Sequence, residues 1–447
     1  MKIIVSIFTQ LKIIALGLLL LLCGTSFGQL ETKGREFWGT VNASWPSTDS
    51  VVIFVSSEEP TSVSLTVFST GTTITKPIPA NTQYRIAIDR PQILTSTYFT
   101  NAVKSFRITS TKDISAYLLV PASYTTDATV LYPSKAISNN SKYLLLTYDG
   151  STSIGTRNCV IVSHANNTIV EFTFKGKSSS VGRDSIILDT LDLGECYQIK
   201  DLYDFRLSGG TARVLNGKKI STFCGNRCTM AACTACDMLL EQVPPLETLG
   251  TKYLIVPLKG HTNGYIIQVT TNTDNTALIK DGSLVVTLQK GDVYEYDVNS
   301  ERAICLTANN PILVSQIMKG ITCNGSGSGD PGLVFLSSSD QLIQSALVAT
   351  ANTTIISQHF ISLVIPKKGI DSMYIDGVLI PRSKFVASNC GDFYWYTDTL
   401  QAGNHLVYNY FGFLAYIYGT GSAESYLYTA GSGLRNLNME IAYESFP

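Results

Sequence analysis

One pattern occurs four times along this chain. An apolar run, a polar turn and an alternating run follow one another in VVIFVSSEEPTSVSLTV (51–67), CVIVSHANNTIVEFTF (159–174), YIIQVTTNTDNTALIKDG (265–282) and FISLVIPKKGIDSMYIDG (360–377). Internal repetition on this scale limits the fold more than composition does, because every copy must build the same unit. In Thr168–Phe174, Val170, Phe172 and Phe174 share one face while Glu171 and Thr173 take the other. That is the period of a half-buried strand. A further strand follows each hairpin (PANTQYRI, LGECYQI, KGDVYEY, AGNHLVY), and a last hairpin closes each copy. No segment keeps a 3.6-residue period, so helix should be scarce.

The repeats divide the chain into 29–121, 122–232, 233–327 and 328–430, with a tail over 431–447. Units of about 90–110 residues are longer than the ~40–50 of an ordinary propeller blade. The expected fold is therefore all-β, built of four tandem antiparallel β-sandwich-like repeats. Four large blades about one axis are the alternative. The connectors repeat as well: TDATVLYPSKAISNNSKYLLL, CDMLLEQVPPLETLGTKYLIV and GDPGLVFLSSSDQLIQSALVA align at Asp127, Asp237 and Asp330. An acid opens each, an apolar run follows, and the next unit begins.

Residues 1–28 read as a cleaved signal peptide. Lys2 and Lys12 precede the apolar run Ile13–Leu22, and Ser26 and Gly28 give the small-residue cleavage spacing. That run falls short of the roughly 20 residues that span a bilayer, and Leu22 stands where a lipoprotein signal before Cys23 wants a small residue. A secreted, extracellular protein with no membrane span is expected. The formal net charge is only −1, which leaves no basic face for nucleic acid. With 23 Tyr, 18 Phe and only 15 % charged residues, the composition suits pleated, half-buried surfaces. Five sequons, at Asn42, Asn139, Asn166, Asn324 and Asn352, are N-glycan acceptors in a secretory lumen.

The run FCGNRCTMAACTACDMLLEQVPPLETLGTKYLIVPL resembles the IgGFc-binding protein N-terminal domain family: a Cys after a small-residue turn, then Cys-Asp, Glu-Gln-x-Pro-Pro and Gly-x-x-Tyr before a strand. GREFW near the start, NNTIV and DNTAL in the hairpins and GDPG at 329–332 extend the resemblance over roughly Gly34 to Gly421. It implies a secreted, non-enzymatic, β-rich module of the kind found in adhesive and mucus-type proteins. It also implies a Cys228–Cys236 bridge, which leaves Cys224 and Cys233 as a nested second pair.

Zinc at these four cysteines is disfavoured, because structural zinc loops usually part their ligand pairs by a dozen residues or more. A redox couple would want a helix start within a βαβ pattern. Disulfides fit an oxidising compartment better. Cys159 and Cys196 lie on neighbouring strands and are expected to pair, as are Cys323 and Cys390. That leaves Cys305 as a buried small hydrophobe, or as an intermolecular bridge. Asp127, Asp237, Gln242, Pro244, Pro245 and Asp330 are expected to form packed junctions between units, with Asp237→Asn costing folding or secretion. His164, His261, His359 and His405 sit in no nucleophile motif, and no catalytic residue, metal or cofactor is expected. The partner is then an extracellular protein or glycan, met through loops and exposed aromatics such as Trp38, Trp45 and Trp395. A carbohydrate-active enzyme on a β scaffold is the alternative.

Overall fold

The structure is a computed structural model that describes residues 31–44, 50–122, 125–150, 156–176, 184–324, 327–351 and 355–437. The leader, Trp45, Asn352 and the last ten residues lie outside them. Strand accounts for 57 % of the described residues and helix for 5 %, so the chain is all-β, and the described residues form one compact body.

Every repeat is built on two antiparallel rows of four strands in the same order, to which repeat four adds the edge strand Val386–Ala387. In repeat two the outer sheet runs Ser185–Leu191, Thr168–Gly176, Phe205–Val214, Lys142–Leu144. The inner sheet runs Glu195–Lys200, Arg157–Ser163, Ile220–Thr229, Asp237–Gln242. A short strand of repeat one, Asn101–Val103, extends its edge. Repeat three is built alike. In repeats one and four a single long strand, Phe106–Val120 or Asn404–Gly421, serves both sheets.

The last strand of each inner sheet stands at the centre. Asp127–Val130 lies against Asp237–Gln242, which meets Gly332–Phe335, which meets Glu424–Gly431, which returns to Asp127–Val130. The four repeats thus form a propeller-like ring of large blades around four axial strands.

This ring explains the two kinds of run in the sequence pattern. The half-buried strand Thr61–Val67 alternates, with Val63, Leu65 and Val67 inside and the residues between them only partly covered. The preceding strand, Val51–Ser57, is buried throughout. Val51, Ile53 and Val55 fill the core of repeat one, while Val52 and Phe54 enter the core of repeat four. Likewise Cys159 and Ile161 face the core of repeat two, while Val160 and Val162 face that of repeat one. Repeat two's core takes in Ile266, Leu313 and Leu333 of repeat three, and repeat three's takes in Phe360, Val364 and Tyr416 of repeat four. A strand covered on both faces must be apolar at every position. Each such side chain contributes roughly 1.5–3 kcal/mol by burial.

The axial strands pair with the sheet before them, not the one after: Asp127–Val130 with Phe106–Val120, Asp237–Gln242 with Ile220–Thr229, and Gly332–Phe335 with Ile312–Met318. The sheets therefore divide beyond residues 122, 233 and 328, in the stretches 131–141, 243–251 and 336–342.

Four disulfides are present: Cys159–Cys224, Cys228–Cys236, Cys233–Cys323 and Cys305–Cys390. Three of the sequence-derived pairings are corrected by strand register. Cys159 faces Cys224 across the ladder, with Cα atoms 4.2 Å apart. Cys196 is opposite Val162, and its side chain lies in the core of repeat one, whereas Cys159 lies in that of repeat two. Cys159–Cys196 and Cys224–Cys233 are thereby excluded. Cys233 reaches Cys323 because the loop after Thr229 folds over the short 3-10 turn Ile321–Cys323, with Gly320 N–H donating to Ala231 O at 3.0 Å. Cys305 takes Cys390, so Cys323–Cys390 does not form and Cys305 is not free.

Among the described residues the free cysteine is Cys196, fully buried, and burial pushes its thiol up to about 11. A thiol that is neutral and covered should not react. In protein lacking residues 1–28, and with them Cys23, one thiol per chain should alkylate in denaturant and none in the native state. A native-state label on any cysteine would contradict this pairing.

Candidate functional site

Two polar features stand out: a carboxyl cluster on the axis and an open cleft between repeats two and three. The axial strands bring Asp127, Asp237 and Asp330 together and add Glu424, which opens the fourth axial strand. Glu241 joins them from the second. All five are buried.

Asp127 holds its neighbours in register. Its Oδ1 accepts the Ala128 N–H at 2.8 Å and its Oδ2 the Leu240 N–H of the next axial strand at 3.0 Å, and the Leu333 and Leu427 N–H groups also act on it. Asp237 Oδ1 accepts the Met238 N–H at 2.7 Å, but its Oδ2 is buried without a hydrogen bond. Burial raises the Asp127, Asp237 and Glu241 carboxyls well above their ordinary range, and Asp330, Glu424 and Asp127 repel charge on Asp237. Asp330 rises to about 8, through burial and then through Glu424. Among the described residues no group of three or more His, Cys, Asp or Glu is arranged to hold a metal ion.

Gln242 closes the junction. Its Oε1 accepts the Tyr132 N–H at 2.9 Å, and its own N–H donates to Thr129 Oγ1 at 2.9 Å. Pro244 and Pro245 are buried beside it. Glu424 was legible in principle, since GSAESYLYTAG opens on an acid like the other three connectors. The change to Glu hides the alignment.

The cleft has a volume of about 640 Å³. Its repeat-two wall carries Thr147, Asp149, Arg157, Asp201, Arg206 and Ser208, and its repeat-three wall Gln268, Val293 and Glu295. Arg157 spans two acids. Its Nε and Nη2 reach Asp201 Oδ2 at 2.9 and 2.8 Å, and its Nη1 pairs with Asp149. Gln268 Nε2 donates to Glu295 Oε2 at 3.0 Å. Burial raises the Glu295 carboxyl against that hydrogen bond, and Asp297 adds to the effect. Arg206 is different: its Nε is buried with no hydrogen-bond partner.

At the base of the cleft the two walls touch. Gly209 and Gly291 both have positive φ, +83° and +79°, and a Cβ on Gly209 would stand 1.9 Å from Gly291 O. Only glycine permits so close an approach there. No local motif announces the cleft, because its residues come from strands and loops of two repeats.

Other expected site residues fall elsewhere. Asn42 is fully buried, donating to Asn158 Oδ1 at 2.6 Å, and Asn324 is buried against His261 Nδ1 at 2.8 Å. A glycan has no room at either, whereas Asn139 and Asn166 are exposed. Trp38 is not exposed: it is stacked between Phe68 and His164, and Trp395 is half-buried. Among the described residues the exposed aromatics are Tyr203, Tyr408, Tyr410 and Phe411 instead. His359 contacts the Tyr426 hydroxyl and His405 the Asp376 carboxylate, so all four histidines have structural partners.

Taken together, these features define a disulfide-braced, all-β ring with a polar inter-repeat cleft. The IgGFc binding protein family model matches residues 127–419, and the chain belongs to that family. No curated protein matches it in sequence. Among solved structures it is similar to an anti-sigma factor domain-containing protein (10 % identity, 63 % of this chain and 78 % of that one, TM-score 0.14). It is also similar to a Ca2+-stabilized adhesin with which an Antarctic bacterium binds ice (11 %, 89 % and 98 %, TM-score 0.12). A third is a Streptomyces avermitilis alpha-L-rhamnosidase (8 %, 73 % and 45 %, TM-score 0.16). None is close enough to carry an argument.

Proposed function

We propose that this protein is a secreted, non-enzymatic binding or adhesion module of an extracellular matrix, mucus or surface coat, and that its ligand is held in the cleft between repeats two and three. The observation that supports this reading is the cleft itself. It is open and polar, and it sits on two walls fixed by Cys233–Cys323 and by the Gly209–Gly291 approach. A preformed site keeps the entropic cost of binding low. Four disulfides suit an oxidising extracellular setting.

The test is a pull-down from native extracellular fluid with the full chain and a Val293→Trp variant, whose indole would fill the cleft. The wild type should retain a specific partner, and the variant should lose it at unchanged melting temperature. An unaltered pull-down by the folded variant would move binding off the cleft. The enzyme alternative has one observation in its favour: Glu295, with its raised carboxyl, shares the cleft with Asp201. Turnover of any polysaccharide, lost in Glu295→Gln, would replace the binding reading.

A further inference from the structure

The ligand class can be read from which groups in the cleft are already satisfied. Arg157 is neutralised by Asp149 and Asp201, and Asp201 Oδ1 also accepts the Leu207 N–H at 2.9 Å. Those three groups shape the wall but have little left to offer a ligand. Arg206 has no ion pair among the described residues, and its Nε lacks any hydrogen bond. A half-buried guanidinium without an anion is a vacant recognition point, since its planar donors match a carboxylate.

Across from it, Gln268 is held by Ser315 and by Glu295, and the Ser208 hydroxyl is saturated by Thr147, which leaves Glu295 Oε1 to meet hydroxyl groups. The loop that carries Asp201 into the cleft also bears Tyr203, 92 % exposed. An exposed aromatic of this kind, apolar on its faces and polar at its tip, offers a surface on which a sugar ring can lie.

Resting on the binding reading above, we infer that the cleft takes a carboxylate-bearing saccharide, its carboxylate on Arg206 and a hydroxyl on Glu295. Uronic and sialic acids share this chemistry, and the experiment separates them. The full chain is titrated with a galacturonate trimer and its methyl ester, and with sialyllactose and lactose. At least one acid should bind about ten- to hundredfold tighter than its neutral counterpart, the range a charge-assisted hydrogen bond supplies. Which pair discriminates identifies the source. Arg206→Gln should abolish the preference, and Glu295→Gln should keep it. On the wild type alone, the preference should shrink steeply toward about 1 M salt, where screening acts within about 3 Å.

Equal binding of acid and neutral forms overturns the inference. So does a preference that survives in a folded Arg206→Gln protein, or that ignores salt. If no saccharide binds while Val293→Trp still strips the native partner from the pull-down, the saccharide class falls and the cleft reading stands. If Val293→Trp changes nothing either, both fall.

Discussion

The melting temperature of the protein should fall as the pH is raised from about 6 to about 9. Asp330 has a folded-state pKa of about 8, and burial also raises Asp127, Asp237 and Glu241. Ordinary carboxyls titrate near 4. Between these values the folded chain holds protons that the unfolded chain has lost, so stability declines with rising pH. The stabilisation is fully present below about pH 4 and is lost as pH passes through the folded values.

The four acids titrate as a set, and several kcal/mol is the expected order of the loss. That corresponds to roughly 5–10 °C in a body of this size. His164 and His261 act oppositely. Burial lowers them to about 3 and about 4, so they oppose acid stabilisation below about pH 6.5. The decline should therefore be steepest above that value. Asp330→Asn should flatten it. A melting temperature that climbs between pH 6 and 9 would show the axial carboxyls to be ionised and well solvated in the fold.

Asp127→Ala should abolish secretion or lower stability by about 2–5 kcal/mol, because it strands the buried N–H groups of Ala128 and Leu240 at about 1–3 kcal/mol each. Asp237→Asn should depart from what its sequence context suggests. The sequence places Asp237 in a charge-assisted hydrogen bond, so an amide there should weaken folding. In the ring, Asp237 Oδ2 has no donor to lose and faces Asp330, Glu424 and Asp127. A neutral amide cannot acquire the charge that they repel, so the variant should lose less stability than the wild type as the pH rises. Urea midpoints of the two variants at pH 6 and 8.5 test the contrast. Equal destabilisation by both would mean that the axial acids act only as ordinary strand caps.

The fold could be read in the sequence to the extent that side-chain period reports burial. Val170, Phe172 and Phe174 alternate because one face is wet, and CVIV and VVIFV do not because neighbouring repeats cover both faces. The ring was harder to read, since double coverage looks the same whether a strand lies within one sandwich or between two blades. Register was not legible at all. Cys159 and Cys196 do lie on neighbouring strands, yet an offset of three residues turns the two sulfurs toward different cores. The axial acids were visible as Asp127, Asp237 and Asp330 but were placed as separate junctions, because nothing local brings three distant connectors to one axis. Arg206 and Glu295 carry no signal in isolation.

The bridges are not spread evenly around the ring. Cys233–Cys323 joins repeat two to three and Cys305–Cys390 joins three to four. Among the described residues, no disulfide joins repeat one to either neighbour; beyond the chain itself it is held by packing and hydrogen bonds, such as Tyr117 to Ala430 O at 2.9 Å and Ala43 to Gln198 at 2.7 Å. Under mechanical load the ring therefore should have a breakaway sector: repeat one should separate first, while the disulfides hold repeats two to four together and preserve the cleft between two and three.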